Sequence, residues 1–230
     1  MSKVVHPYAH RLVNLRDWKS RWFAGKNYKT LLKGDVLTRK FLDKKLRGFY
    51  VSRIEIERNR KATKVMVFTS RPGMIIGRSG EGVAKLKSDL IAMLKKNDVV
   101  VPEDFKFDIV EVQNPDADAM IVAAGVAEGL EKRLPFRRVL KQMIEKTMQA
   151  RGVKGARILL GGRLGGAEIA RTEQIKRGSI PLQTIRADVD FAREKAHMAY
   201  GDIGIKVWIY RGEVFNTPVA TSNKDQKYNN

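Results

Sequence analysis

No cysteine occurs among the 230 residues, so neither a disulfide nor a thiolate metal site is possible. Histidine is nearly as scarce: His6, His10 and His197 make up the full set, too scattered to form a ligand cluster. No apolar run approaches the ~18 residues of a membrane-spanning helix. The opening MSKVVHPYAHRL offers neither an amphipathic nor a lipidated anchor. These absences set aside redox chemistry, metal sites and cofactors, and they lead us to expect a soluble cytoplasmic protein with no membrane partner. Carboxylates are also in short supply, with 25 Asp+Glu against 45 Lys+Arg.

That imbalance gives a formal charge of +20 and a pI near 10.2. Such an excess repels itself unless a polyanion neutralises it, which makes nucleic acid the first partner to test. Residues 1–53 carry 14 basic and 3 acidic groups, residues 54–113 carry 11 and 9, and residues 114–230 carry 20 and 13. The N-terminal segment is therefore expected to be the most concentrated basic surface. The end of the chain, EVFNTPVATSNKDQKYNN, is polar and neutral, and reads as a frayed tail rather than a basic arm.

The length suits two ordinary domains. Residues Arg39 to Leu46 read as a short helix, FYVSRIEIER and TKVMVFTS as half-buried strands joined by RNRKA, and FKFDIVEV as a third strand beyond the turn-rich NDVVVPED. Between them, Val83, Leu86, Leu90, Ile91 and Leu94 fall at helical spacing. Asn114-Pro115 marks a boundary. Beyond it, Asp116 and Asp118 suit a helix N-terminus leading into AMIVAAGVAEGLEKRL, and a second helix is expected from Pro135 to about Ala150. GARILLGGRL, EIARTEQIKRG, TIRADVDFAREKA and IGIKVWIYRG read as four strands, so two helices followed by consecutive strands imply an antiparallel α+β layer.

Within RPGMIIGRSGEGV, Gly77-Arg78-Ser79-Gly80 fits G-x-x-G, where residues without Cβ let the backbone approach a nucleic-acid strand. The helix that follows adds its N-terminal dipole. Spacing alone equally suits an ordinary helix–loop–helix turn, and Gly162-Arg163-Leu164-Gly165 carries the same pattern between two strands, where tight turning is the simpler account. A Walker loop is excluded, because Gly73 and Gly77 enclose three residues rather than four, and G-x-G-x-x-G fails at both clusters. Helix, loop and helix flanked by strands is the arrangement of a KH domain.

In PFRRVLKQMIEKTMQA, Phe136, Val139, Leu140, Met143 and Ile144 form one apolar stripe. At ~100° per residue, Arg137, Lys141 and Arg138 fall about 100°, 140° and 200° from Phe136, a fan of cations opposite the core face. A phosphate track suits it, and so does a merely solvated face, which Glu145, four residues beyond Lys141, would soften. Trp18, Trp22 and Phe23 are read as core or docking aromatics rather than base-stacking ones. Glu168, Asp188, Asp190 and Glu194 show no paired spacing and no partner histidine, so no catalytic residue is assigned. By charge density, Arg151, Lys154, Arg157, Arg163, Arg171, Lys176 and Arg177 are candidates for further RNA contacts.

RPGMIIGRSGEGV, VSRIEIER, FRRVLKQ, GGRLGGAEIARTEQ, PLQTIRADVDFA and YGDIGIKVWIYRGE together carry a specific resemblance. From Lys3 to Glu213 the chain resembles the bacterial form of small ribosomal subunit protein three, the KH-domain family of the 30S subunit head. The resemblance implies an α+β fold with an N-terminal type II KH domain and a C-terminal α+β domain of two helices packed on a four-stranded antiparallel sheet. The expected divisions are an N-terminal basic arm (1–16), the KH domain with its preceding helical segment (17–113), the C-terminal domain (114–212) and a tail (213–230). It further implies a non-enzymatic ribonucleoprotein component with 16S rRNA, mRNA and neighbouring head proteins as partners, and not a homo-oligomer. In that family, cations matching Arg137, Arg138 and Lys141 line the mRNA entrance and assist unwinding of structured message, and the seven cations chosen by charge density are then expected to contact rRNA. The competing reading is a free-standing KH regulator that binds RNA away from ribosomes.

Overall fold

The computed structural model describes residues 5–59, 61–97, 99 and 104–215. The expectations for residues 1–4 of the arm, for Arg60 in the basic hairpin, for most of the 98–103 connector and for the tail from 216 onward lie outside the described residues.

The chain begins with a single helical turn, α1 (Pro7–His10), and a two-residue strand, β1 (Ser20–Arg21). Helix α2 (Tyr28–Lys45), strands β2 (Val51–Arg58) and β3 (Ala62–Thr69), helices α3 (Pro72–Ile76) and α4 (Glu81–Lys96), and strand β4 (Asp104–Glu111) follow. The sheet order is β1-β2-β3-β4, with β2 and β3 antiparallel and the two outer pairings parallel. Burial alternates along β2 and β3, so Ile54, Ile56, Val65 and Val67 turn toward Leu42, Leu90, Leu94, Phe105 and Phe107. The helix expected from Arg39 to Leu46 in fact begins at Tyr28. Its earlier buried positions are Gly34, Asp35 and Thr38, which an apolar period does not register. Asp35 is held by Arg58 at 2.7 Å and by the Trp22 indole at 2.8 Å, while Gly34 lies under Val99 and Arg58.

The second half packs helices α5 (Ala119–Glu131) and α6 (Phe136–Gln149) on one face of strands β5 (Gly155–Gly162), β6 (Arg171–Gly178), β7 (Ala187–Met198) and β8 (Gly201–Glu213). The order β6-β5-β8-β7 is antiparallel throughout, as expected. Ala156, Ile158 and Leu160 of β5 and Ile203, Ile205, Val207 and Ile209 of β8 meet Val122, Val126, Leu140 and Ile144. On the opposite face, Val189, Trp208 and Tyr210 form a smaller cluster with Ile180, Leu182 and Phe191, and the His6 ring of the arm meets the Phe191 ring at right angles, 4.7 Å between centroids.

The two halves meet across polar contacts. A bulge between Val51 and Arg53 turns Ser52 out of register, and its hydroxyl donates to Asp118. Tyr50, held at φ 53, donates to Glu128, and Arg47 pairs with Glu131 at 2.6 Å. The arm folds back onto the second half. Arg11 is fully buried and donates to the carbonyls of Pro7, Pro181, Leu182, Thr184 and Ala187, and Arg16 pairs with Asp188. Two cations of the segment expected to be the most concentrated basic surface are thus turned inward.

Burial, with Asp190 nearby, pushes the Asp118 carboxyl above its ordinary range. A carboxyl raised in the folded state favours folding at low pH, and that contribution is lost as pH rises through the folded pKa. Asp118→Asn keeps an oxygen for the helix cap and needs no ionisation. It is expected to melt above the parent near about pH 7, with the gap closing as pH falls toward about 4. Thermal melts at both values check this, and a gap independent of pH would contradict it.

Candidate nucleic-acid interface

The G-x-x-G loop joins α3 to α4 at the surface. Gly77 sits at φ 70 and ψ −170, a region open in practice to glycine alone, and Ser79 (φ 52) and Gly80 (φ 82) complete a sharp turn. Of the apolar MII run, Ile75 is buried, while Met74 and Ile76 are exposed beside the loop. Gly82, which the spacing argument passes over, makes the junction possible: an added Cβ would lie 2.4 Å from the Ile75 carbonyl oxygen and 2.9 Å from that of Ile76. The third glycine of GRSGEG was the available signal. Arg78 is exposed and forms no ion pair among the described residues. Glu81 occupies the first turn of α4, where its charge competes with any phosphate for the helix dipole.

On α6, Val139, Leu140 and Ile144 are buried, and Arg137, Arg138 and Lys141 are exposed on the other side. Pro135 stands at the cap position, one residue before the helix, and its carbonyl accepts from the amides of Arg138 and Val139. Glu145 does not soften Lys141 as the sequence suggests. It pairs with Arg177 of β6 at 3.1 Å, so Arg138 and Lys141 keep their charge without an ion-pair partner among the described residues. Arg137 has one loose contact, 3.6 Å to Glu173.

The seven density-chosen cations do not form a single patch. Arg171 and Arg177 lie on the β6 face that looks toward α6, where they meet Phe136 and Glu145. Arg157 and Lys176 are cross-strand neighbours on the opposite face, with Arg157 over the Trp208 ring and bonded to Gln174. Arg151 and Lys154 flank the turn between α6 and β5, and Arg163 sits on the second G-x-x-G. That second motif is a turn, as expected, with Leu164 buried beneath it.

The carboxylates set aside as catalytic candidates include two that build the structure, Asp188 with Arg16 and Asp190 with Arg211. Among the described residues no group of three His, Asp or Glu could hold a metal ion, and no helix is long and apolar enough to cross a membrane. Trp22 is bonded to Asp35, whereas Phe23 (96 % exposed) and Trp18 stay at the surface.

Comparison with known proteins adds two family matches. Residues 37–117 match the family described as KH domain, and residues 126–209 match that described as Ribosomal protein S3, C-terminal domain. Among similar chains, the small ribosomal subunit protein uS3 of Clostridium novyi is 45 % identical over 218 residues, 94 % of this chain and 96 % of that one. The uS3 of Desulfitobacterium hafniense is 47 % identical over 214 residues, 93 % and 94 % of the two chains. The uS3 of Exiguobacterium sibiricum is 42 % identical over 224 residues, 97 % and 100 %.

The close approach at Gly82 makes it the sensitive position of the loop. Gly82→Ala is expected to lower stability to urea by about 1–3 kcal/mol, the cost of forcing extra volume against fixed backbone. Gly73→Ala, which meets nothing within 4 Å, is expected to be neutral or slightly stabilising. Equal effects at the two sites would contradict the assignment.

Proposed function

Because the chain belongs to the small ribosomal subunit protein uS3 family, we propose that its exposed α6 face guides mRNA phosphates into the subunit while other basic surfaces hold small-subunit rRNA. It is a structural component of the small ribosomal subunit and not an enzyme. It binds rRNA and neighbouring subunit proteins, and we infer further that it works in the cytoplasm within that particle and not as a homo-oligomer.

The observation that carries the mRNA role is the pairing pattern on α6. Of its four outward cations, Arg137 and Lys146 have carboxylate contacts, while Arg138 and Lys141 have none among the described residues, and Glu145, four residues beyond Lys141, is held by Arg177. A rigid helix anchored by Val139, Leu140 and Ile144 presents these charges in a fixed array, which suits successive phosphates of a single strand and favours strand over hairpin. Arg78 and the Gly77–Gly80 backbone form a second, weaker contact, since Glu81 opposes it. Arg163 and Arg171 extend the α6 surface, and Arg151, Lys154, Arg157, Lys176 and Arg177 are assigned to rRNA.

Replacing Arg137, Arg138 and Lys141 with Ala together should slow translation through stable hairpins while subunit assembly stays largely intact. In a binding assay with single-stranded RNA, the salt slope should flatten by about 0.7 for each phosphate that the variant no longer neutralises. An assembly defect with normal hairpin transit would contradict the role.

Sucrose-gradient sedimentation separates the ribosomal reading from a free-standing KH regulator. The chain is expected to travel with the small-subunit peak, and persistent absence from that peak would sink the assignment.

A further inference from the structure

The turn between β7 and β8 consists of two residues, Ala199 and Tyr200, with Met198 paired to Gly201 at its base. Tyr200 is 66 % exposed, a large ring held at the tip of a tight turn rather than in either core. The Arg163 guanidinium lies over this ring, 5.3 Å from its centroid. Its orientation is fixed, because Nε donates to the Ala167 carbonyl at 3.0 Å.

The second G-x-x-G turn connects this ring to α6. A Cβ at Gly166 would lie 3.8 Å from Tyr200 Cε2, and one at Gly165 would lie 3.9 Å from Phe136 Cε1. The turn therefore sits between two aromatic rings, one on the hairpin and one on the first turn of α6. Phe136 is itself flanked by Arg137 at 5.6 Å and Arg171 at 5.8 Å. The carboxylate two residues beyond Tyr200, Asp202, is already engaged by His197 at 2.6 Å and Lys195 at 3.8 Å. Of the two acids in the segment from Gly166 to Arg177, Glu173 contacts Arg137 at 3.6 Å, and Glu168 is exposed next to Ala167 and leaves the guanidinium groups of Arg163 and Arg171 unpaired among the described residues.

We propose that Tyr200 is a nucleobase-stacking platform for single-stranded RNA, with Arg163 and Arg171 binding the flanking phosphates on the way to Arg137. An exposed aromatic face among fixed cations meets both needs of such a strand, a π surface that accepts any base and positive charge for the backbone. The surrounding guanidinium groups select a polyanion over an apolar protein segment. The platform also gives the α6 track what cations alone lack, a hold on an unpaired base, which a duplex cannot supply. This rests on the α6 reading above.

The test uses the full chain with Tyr200→Ala, Tyr200→Leu and Tyr200→Phe, titrated with a labelled oligouridylate of about ten nucleotides and with its abasic counterpart. Ala and Leu should weaken oligouridylate binding roughly 5- to 150-fold, the range for loss of one stacked base, and Phe should bind like the parent. All four chains should bind the abasic oligomer alike, and the salt slope should not change. The triple α6 variant gives the opposite signature, a flatter slope with the Tyr200 effect retained, so failure of one reading is distinguishable from failure of the other. The proposal is overturned if Leu binds as tightly as Tyr, if the Ala penalty persists on the abasic oligomer, or if Tyr200 crosslinks to a neighbouring protein instead of RNA in intact subunits.

Discussion

The Asp118 carboxylate is the contact on which the arrangement of the whole chain depends. One of its oxygens accepts from the amides of Met120 and Ile121, capping α5, and the other receives the Ser52 hydroxyl from the bulge in β2. Asp190, from β7, accepts from the Ala119 amide and is paired with Arg211 of β8, which also donates to the Ala117 carbonyl. The start of one helix is thus tied to the first sheet and to two strands of the second. Burial first, and repulsion from Asp190 second, raise the Asp118 pKa, which marks the cost of placing this carboxyl here. The capping bonds and Arg211 offset it. Because α5 carries α6 beside it, fixing α5 also fixes the direction in which the α6 cations point.

Net charge is a poor guide to where RNA binds, because much of the N-terminal excess is spent internally. Arg11 directs its guanidinium to backbone carbonyls, Arg21 to Asp17, Glu55 and Glu57, Arg16 to Asp188, and Arg39 to the carbonyls of Lys19 and Ile54. Bonded in this way, these groups act as structural donors, and removing one would leave carbonyls or carboxylates without their partner. The segment with the largest formal excess therefore has less available charge than its count implies, although Lys26, Lys29, Lys40 and Lys44 stay exposed without an ion-pair partner among the described residues. On α6 the reverse holds, since a modest count of cations lies opposite a well-packed core face with few acids in reach.

The strands were legible in the sequence because alternation survives wherever one sheet face is buried, as in Ile54 and Ile56 or Val65 and Val67. The α5 cap was legible because Asp118 is the residue type that such a position needs. The first half of α2 was not, since its inward positions are a glycine, an aspartate and a threonine whose burial depends on Arg58 and Trp22 from elsewhere in the chain. β1 was missed because two residues cannot show a period, and only its pairing with β2 defines it. The cationic fan on α6 followed from helical geometry alone. The fate of Glu145 did not, because its partner Arg177 lies 32 residues away. Tyr200 is invisible for a similar reason: its neighbours Arg163 and Gly166 come from another hairpin.

The two G-x-x-G turns show how little a spacing determines. Both use left-handed backbone, at Gly77 and Gly80 in one and at Gly165 in the other, so the glycines answer the same steric demand. Their surroundings differ in charge. The first turn offers Arg78 and the N-terminus of α4, and then sets Glu81 against both. The second, which read as a mere connector, lies beside Arg163 and between two rings, one of them flanked by Arg137 and Arg171. On the stacking proposal, the turn in the C-terminal sheet is the better equipped of the two to hold a single strand. The α3–α4 loop relies on backbone approach and one cation, and its strength must come from the rest of the KH surface or from the RNA packed around it.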